Sequence, residues 1–180
     1  MHRDVKPANI FLETPRSPLV VDWVAVLGDF GCARVVKKAT VWPHYAASGA
    51  VAHHSADAGT LWYRAPEILG NHSAYGLAVD LWMLGATFLE IEIGRPVFQG
   101  RDEGHQLALV QRLCQPVAAA EQRFVLEVGL RFGARFRHFA RQLLTFQAAQ
   151  RITASALEAV CQVARSDVLS QTECRSWWCV

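Results

Sequence analysis

The chain has 180 residues, a length that favours one globular domain with a buried core over two domains. Its 18 basic and 16 acidic residues give a net charge of +2 and form no long run of one sign, so the charge pattern gives no support for binding to nucleic acid or to a membrane surface. Hydrophobic residues make up 52% of the chain, above the usual share. This excess fits either an alanine-rich helical protein or a domain with apolar surface that another segment covers.

The cysteines are odd in number and show neither a disulfide framework nor the paired spacing of zinc ligands. They predict reduced thiols in a cytoplasmic or nuclear protein. The apolar stretches are shorter than the ~18 residues that span a bilayer, and the N-terminus lacks the apolar region of a signal peptide. We therefore expect a protein without a membrane segment.

Residues 2–9 place three polar groups of different chemistry on one short loop. Asp4 is an acid, Lys6 is a cation two residues later, and Asn9 is an amide three residues beyond the lysine. Phosphoryl transfer uses such groups, because an acid can orient a hydroxyl, a cation can balance migrating phosphate charge and an amide oxygen can bind a hard metal ion. The loop therefore predicts phosphoryl-transfer chemistry.

Two short apolar runs follow, at residues 10–12 and 24–27, and each predicts a β-strand. We expect the strands to pair as a hairpin, with the proline-containing stretch between them as an exposed insertion. The second strand leads into Asp29. This second carboxylate can bind the same complex of metal and nucleotide as the preceding loop.

The remaining elements are predicted from composition and periodicity. Residues 32–58 are rich in small and polar side chains without periodicity, which is typical of a loop. Residues 79–91 are apolar on nearly all sides and predict a helix buried in the middle of the domain. Helical spacing of apolar residues recurs at 106–113 and at 136–146.

Three motifs occur in a fixed order along this chain. His-Arg-Asp at 2–4 is followed by Asp-Phe-Gly at 29–31, and Gly-Thr-Leu-Trp-Tyr-Arg runs into Ala-Pro-Glu at 59–67. Together they resemble the catalytic loop, the magnesium motif and the end of the activation segment of the eukaryotic protein kinases. Lys6, two residues after the aspartate, is the serine/threonine pattern, and the residues from Trp62 resemble the cyclin-dependent and mitogen-activated branch.

The resemblance implies a mainly α fold, namely the C-terminal lobe of a protein kinase with a short β-hairpin near its N-terminus. Residues 1–165 would form this lobe, residues 29–67 its activation segment and residues 166–180 a C-terminal tail. Because the chain begins at the catalytic loop, we expect the N-terminal lobe, with its glycine-rich loop and strand lysine, to be missing. These 180 residues alone would then phosphorylate proteins poorly.

For the chemistry, the resemblance implies ATP as cosubstrate and Mg²⁺ as the metal. The catalytic residues would be Asp4 and Lys6, with Thr60 bridging them. The same resemblance places the nucleotide against Lys6.

The metal and the rest of the nucleotide would be bound by residues of the loop and the hairpin. Asn9 and Asp29 would be metal ligands and would contact the nucleotide through the metal. Phe11 would form part of the floor beneath the adenine, would be a core residue, or would be both.

One implied site is regulatory. Ser55 stands five residues before Thr60, the spacing at which cyclin-dependent kinases carry their activating phosphothreonine. A phosphate there would add roughly −1.5 to −2 of charge, and the resemblance implies that Arg3 would pair with it. The alternatives are Thr40, Ser48 and an ordinary unmodified loop serine.

Other implied roles are structural. Arg64 would help shape the pocket for the residue after the phosphoacceptor, which implies serine-proline or threonine-proline targets. Gly59 weakens this preference, because glycine permits either orientation of the carbonyl beside that pocket. Asp80 would bond the backbone of the catalytic loop, and Arg151 would pair with Glu67.

The function implied is that of a protein serine/threonine kinase, acting on serine or threonine of a protein substrate, with a following proline weakly favoured. A regulatory protein subunit is a further implied partner. The alternative is a non-catalytic kinase-like module that binds or regulates other proteins. The joint presence of Asp4, Lys6, Asn9 and Asp29 favours the kinase, because a chain freed of catalysis has no physical need for all four groups.

Overall fold

The computed structural model of the protein describes residues 1–13, 24–36, 59–70, 75–114 and 140–170, with side chains described as far as residue 162. These residues form a mostly helical fold with one small antiparallel sheet, as the sequence predicts. One helix lies at the centre of the buried core, and the sheet follows directly on the loop of residues 2–9.

Strands β1 (Ile10–Glu13) and β2 (Val24–Leu27) pair antiparallel, which confirms the predicted hairpin. Phe11 lies opposite Val26 and is 58% exposed, so the alternative in which it is a core residue is wrong. Its ring lies against Gly28, where an added Cβ would come within 2.6 Å of a ring carbon. The predicted insertion between the strands lies outside the described residues.

Helix α1 is the single turn Pro66–Leu69, and α2 runs through Ala78–Ile93. The side chains of α2 are apolar on nearly all sides, with Asp80, Glu90 and Glu92 as charged exceptions. This helix lies at the centre of the core, which confirms the buried helix predicted at residues 79–91. Gly94 ends it with φ +80°, and its N–H donates to the Glu90 carbonyl at 2.7 Å. The fully buried residues of α2 include Val79, Trp82, Met83 and Leu89.

Helix α3 (Glu103–Cys114) includes the predicted helix 106–113 and extends beyond it at both ends. Its extra first turn follows from a cap, because Asp102 Oδ1 accepts the His105 N–H at 2.7 Å. The helix predicted at 136–146 is helical at residues 140–143 and ends there, so the prediction is wrong for residues 144–146. Residues 136–139 lie outside the part that the structure describes.

Helix α4 (Ala154–Ser170) was not predicted. The Thr153 hydroxyl accepts the Ala156 N–H at 3.2 Å and so caps its start. Its described side chains are mostly exposed, but Leu157, Val160 and Cys161 have the i, i+3, i+4 spacing of a helix, a signal that the sequence analysis missed. It runs without a break through residue 166, where the sequence analysis placed the start of a tail.

Among the described helices, none has the length and apolar character needed to cross a membrane. Cys32, Cys114 and Cys161 are free thiols. Burial raises the pKa of the Cys114 thiol to about 12, so this thiol stays protonated and unreactive at neutral pH.

Candidate active site

The loop of residues 2–9 and Thr60 form one hydrogen-bonded group around Asp4. Lys6 Nζ lies 2.8 Å from Asp4 Oδ2 and donates to Thr60 Oγ1 at 2.7 Å. Thr60 donates to Asp4 Oδ1 through its backbone N–H at 2.8 Å and its hydroxyl at 2.9 Å. Asn9 Nδ2 donates to the Asp4 carbonyl oxygen at 2.8 Å and to Oδ2 at 3.1 Å. The structure thus brings four of the predicted site residues together and holds the Asp4 carboxylate in one orientation.

The ionisation of Asp4 follows from these contacts. Burial alone would raise the pKa of its carboxyl, but hydrogen bonds from Lys6 and Thr60 outweigh burial and hold the pKa below its ordinary value. Asp4 is therefore a carboxylate at neutral pH. The same bonds contribute stability that is present above the unfolded-state pKa of about 3.9 and is lost as pH falls through the lowered value.

A strained turn directly precedes Asp4. Arg3 has φ +71°, a conformation that residues other than glycine rarely adopt. Asp80 on α2 holds this turn, because its two carboxylate oxygens accept the backbone N–H of His2 at 2.8 Å and of Arg3 at 2.7 Å. The buried helix thereby fixes the backbone on which Asp4 stands.

The Arg3 side chain is 2% exposed and points away from solvent. Its Nε donates to the Cys32 carbonyl at 2.6 Å, and Nη1 donates to the Tyr75 hydroxyl at 3.2 Å. The loop hydroxyls predicted as phosphate carriers, Ser55 among them, lie outside the described residues. Pairing of Arg3 with a phosphate therefore stays a prediction.

His2 links the loop to the segment around Asp29, a role that the sequence analysis missed. Its Nδ1 accepts the Asp4 N–H at 3.3 Å, so Nε2 carries the proton and donates to the Gly28 carbonyl at 2.9 Å. The imidazole also makes an edge contact with the Phe30 ring, with the ring centres 5.0 Å apart. The only sequence signal for this role is the position of the histidine immediately before Arg-Asp.

Phe11 lies on β1 and Asp29 lies two residues after the end of β2, and both are outside the hydrogen-bonded group around Asp4. Asp29 is exposed, has φ +60°, and accepts the Gly31 N–H through Oδ1 at 3.3 Å. The preceding residue is tied to the loop, because the Gly28 N–H donates to the Asn9 carbonyl at 2.9 Å. Both predicted metal ligands therefore stand at the same end of the hairpin.

A second turn with positive φ lies at Gly59, beside Arg3. Gly59 has φ +84°, and its carbonyl accepts from Arg64 Nε at 3.0 Å. A glycine allows its carbonyl more than one orientation, and in this structure the Gly59 carbonyl is directed towards Arg64. A Cβ added at Gly59 would lie 2.3 Å from the Arg3 carbonyl oxygen, so the two turns pack backbone to backbone.

This packing predicts that Gly59→Ala destabilises the fold more than Gly94→Ala, although both glycines have positive φ. Alanine in the left-handed region costs about 1–2 kcal/mol, and at Gly94 nothing else lies within 4 Å of the added carbon. At Gly59 the added carbon would also collide with backbone. Gly76→Ala, in open space and without positive φ, is the control and should change the free energy of unfolding little. Chemical denaturation compares the three, and equal losses at Gly59 and Gly94 would contradict the packing.

Arg151 and Glu67 form a buried ion pair away from Asp4. Arg151 Nη1 and Nη2 lie 2.8 and 3.1 Å from the two carboxylate oxygens of Glu67. Arg151 Nε donates to the Thr145 carbonyl at 3.0 Å, and Nη1 also donates to the Ala78 carbonyl at 2.6 Å. The guanidinium carbon lies 5.2 Å from the centre of the Trp82 ring. The pair therefore joins α1, α2 and the segment that precedes α4.

Tyr63 and Glu90 form another contact that the sequence analysis missed. Tyr63 belongs to the short 3-10 turn Leu61–Tyr63, and its hydroxyl donates to Glu90 of α2. Burial is the main cause of a raised pKa of Tyr63, and the hydrogen bond to the Glu90 carboxylate is the second cause. The hydroxyl therefore remains a donor at neutral pH. This bond ties the segment before Arg64 to the buried helix.

The relationship of this chain to known proteins follows from its match to one family model. The family model described as the protein kinase domain matches residues 1–162. The chain belongs to the protein kinase family. This match confirms the resemblance to the protein kinases that the order of the three motifs indicated.

Three curated kinases are similar to this kinase chain. Mitogen-activated protein kinase 6 of Arabidopsis thaliana is 33% identical over 145 residues, which cover 81% of the chain and 32% of that kinase. Mitogen-activated protein kinase 1 of Oryza sativa subsp. japonica is 32% identical over 172 residues, which cover 85% of the chain and 38% of that kinase. Cyclin-dependent kinase C-2 C of Arabidopsis thaliana is 40% identical over 114 residues, which cover 63% of the chain and 15% of that kinase. The chain spans less than two fifths of the length of each relative.

These relatives also confirm the branch of the family. The chain resembles the eukaryotic serine/threonine kinases of the mitogen-activated and cyclin-dependent branch, as the motifs from Lys6 to Trp62 indicated.

Proposed function

We propose that the protein is a serine/threonine kinase that transfers the γ-phosphoryl group of ATP to a hydroxyl of a protein substrate. The observation that supports it most directly is the closed hydrogen-bonded group of Asp4, Lys6, Thr60 and Asn9. It sets an ionised carboxylate beside a cation, so that one group can hold a hydroxyl while the other faces a phosphate.

Each residue of this group has a proposed task. The Asp4 carboxylate accepts the hydrogen bond of the substrate hydroxyl and takes its proton as the phosphate bond forms. Lys6 balances negative charge on the moving phosphate, and Thr60 keeps the carboxylate and the ammonium in register. Positioning supplies most of the rate, because the chemistry itself needs no covalent intermediate.

The proposal includes ATP with Mg²⁺, and the described residues fit both. The Asn9 amide nitrogen is bonded to Asp4, so Oδ1 is the Asn9 atom that would bind the metal, and the exposed Asp29 carboxylate would add a charged ligand. Phe11 exposes its ring on the hairpin and would lie beneath the adenine. When bound, ATP with Mg²⁺ supplies the transferable phosphoryl group and a cation that offsets the phosphate charge.

Asp29→Asn is expected to abolish most of the Mg²⁺ dependence of nucleotide binding, because a metal held by Asn9 alone has no charged protein ligand. Asparagine tolerates the positive φ at this position and can still accept the Gly31 N–H, so the fold should be retained. Titration of ATP with and without Mg²⁺ measures the effect. Glu13→Gln, which removes an exposed carboxylate from β1, is the control with parental metal dependence. Equal Mg²⁺ dependence in Asp29→Asn and the parent would mean that Asp29 is not a ligand.

Arg64 supports a preference for proline after the phosphoacceptor. The Gly59 carbonyl is directed towards Arg64 Nε, and this orientation would turn it away from the backbone N–H of a substrate residue. A residue with an N–H would lose a hydrogen bond on entering this pocket, whereas proline has no N–H to leave unpaired.

The remaining assignments are also proposals. The mainly helical fold with its hairpin supports the C-terminal kinase lobe for residues 1–165, with residues 29–67 as activation segment and residues 166–180 as tail. A phosphate on Ser55 would pair with Arg3 and order that segment. A protein substrate, a regulatory protein subunit and a cytoplasmic or nuclear location complete the proposal.

Transfer of labelled phosphate from ATP to a peptide tests the function. The full-length protein, meaning this chain together with the N-terminal lobe that the resemblance implies, should label a serine-proline peptide in a Mg²⁺-dependent reaction and should leave the matched alanine-proline peptide unlabelled. The 180 residues alone should transfer little phosphate. A folded protein that binds ATP but transfers no phosphate to peptides or proteins would overturn the kinase proposal. That result would favour the non-catalytic module that binds or regulates other proteins.

A further inference from the structure

The guanidinium of Arg64 is held from two sides. Nε donates to the Gly59 carbonyl at 3.0 Å, and Nη1 lies 2.6 Å from Glu103 Oε1. The Arg64 side chain is 12% exposed and that of Glu103 is 42% exposed. Because a guanidinium is planar and its donors point in fixed directions, holding Nη1 also sets the direction of the Nε–H bond.

The Glu103 carboxylate stands on an independently anchored helix end. Trp62 Nε1 donates to the Gly100 carbonyl at 3.0 Å, and the Gly100 N–H donates to Oε1 of the fully buried Gln106 at 2.8 Å. An added Cβ at Gly100 would lie 2.4 Å from that oxygen, so the loop before α3 packs closely on the helix. These bonds place the first turn of α3 against the segment around Arg64 without help from the ion pair.

From these contacts we infer that Glu103 is a positioning residue that sets the preference for proline after the phosphoacceptor. The inference rests on the proposed kinase function and on the pocket beside Gly59. Glu103 aligns Arg64, and Arg64 then keeps the Gly59 carbonyl occupied. Without the carboxylate, Arg64 Nη1 loses its charged acceptor, so the guanidinium is less firmly aligned and leaves that carbonyl open for part of the time. A substrate residue with an N–H can then bond it, and proline loses its advantage.

A purely structural ion pair would behave differently. A partly exposed pair contributes little stability, and its loss would weaken the binding of every substrate to the same extent. A positioning residue instead changes the ratio of two affinities, because only the substrate with an N–H gains from an open carbonyl. The ratio of the affinities for matched peptides therefore separates the two roles.

The test measures binding of two peptides that differ only in proline or alanine after the serine. The full-length parent protein should bind the proline peptide more tightly, and Glu103→Gln should lower this ratio by about 1.5- to 5-fold, the range for a partly exposed ion pair. Glu103→Asp, which keeps the charge on a shorter side chain, should restore part of the ratio. Arg64→Lys should lower it at least as far as Glu103→Gln does, because one ammonium cannot replace the guanidinium fork that spans Gly59 and Glu103.

The matched control is Asp102→Asn. It removes the same charge one residue earlier, from a side chain that is 61% exposed and lies 3.4 Å from Arg101, and asparagine still caps α3. Its ratio should equal that of the parent. A parent without preference, an unchanged ratio in Glu103→Gln, or an equal fall in Asp102→Asn would each overturn the inference. The readout is binding, so the two proposals can fail separately. Selective binding of the proline peptide without phosphate transfer would contradict the kinase proposal alone. Phosphate transfer with an unchanged ratio of affinities in Glu103→Gln would contradict this inference alone.

Discussion

Asp4→Asn is expected to lower the turnover of phosphate transfer by roughly 10²–10⁴-fold, the scale of losing a positioned acid–base group. Asparagine keeps the size of the side chain but cannot take the proton of the substrate hydroxyl. It also removes the negative charge that Lys6 Nζ meets at 2.8 Å, so the cation loses the partner that fixes its position. Turnover of a serine-proline peptide by the full-length protein at saturating ATP and Mg²⁺ measures the loss.

Two further measurements separate chemistry from folding and from nucleotide binding. The ATP affinity of Asp4→Asn should stay near the parental value, because Asp4 itself is not one of the proposed nucleotide or metal ligands, and Phe11 and Asp29 lie outside the Asp4 group. Its melting temperature reports any loss of structure, and Glu13→Gln on β1 serves as a charge control with parental turnover. Near-parental turnover of Asp4→Asn would remove Asp4 from the proposed mechanism.

Arg151→Ala is expected to lower the free energy of unfolding by about 3–5 kcal/mol, because it leaves the Glu67 carboxylate buried without its partner. The same change strands carbonyl oxygens, including those of Thr145 and Ala78, and removes the cation from the Trp82 ring. A domain is commonly stable by only about 5–15 kcal/mol, so this variant should be close to unfolding at body temperature. Urea denaturation followed by tryptophan fluorescence measures the loss.

A matched series guards against a general effect of losing an arginine. Arg112→Ala, on the exposed side of α3, should change the free energy of unfolding by less than about 0.5 kcal/mol. Arg151→Lys should fall between the two, because lysine keeps the charge but cannot bind both carboxylate oxygens. Combining Arg151→Ala with Glu67→Gln should cost less than the sum of the single changes. Strict additivity would show that the pair is not coupled.

The sequence by itself determined the parts of this protein that are local. The acid, cation and amide of residues 4–9 lie within one short loop, so their spacing alone predicts that they meet. The two strands follow from short apolar runs, and α2 follows from a long run without a polar face. The family resemblance, and not any spacing, supplied the expectations for Thr60 and for the pair of Arg151 with Glu67.

Only the tertiary structure decided how distant segments meet. Glu103 reaches Arg64 across 39 positions, and Asp80 reaches His2 across 78, and no local period marks either pair. The exposure of Phe11 likewise depends on what the rest of the chain covers. The sequence pattern of a strand does not distinguish an apolar residue that is buried from one that is exposed. Periodicity records which face of an element is apolar, whereas the partner of a polar side chain depends on the path of the whole backbone, and that path placed Thr60, Glu103 and Arg151 where they lie.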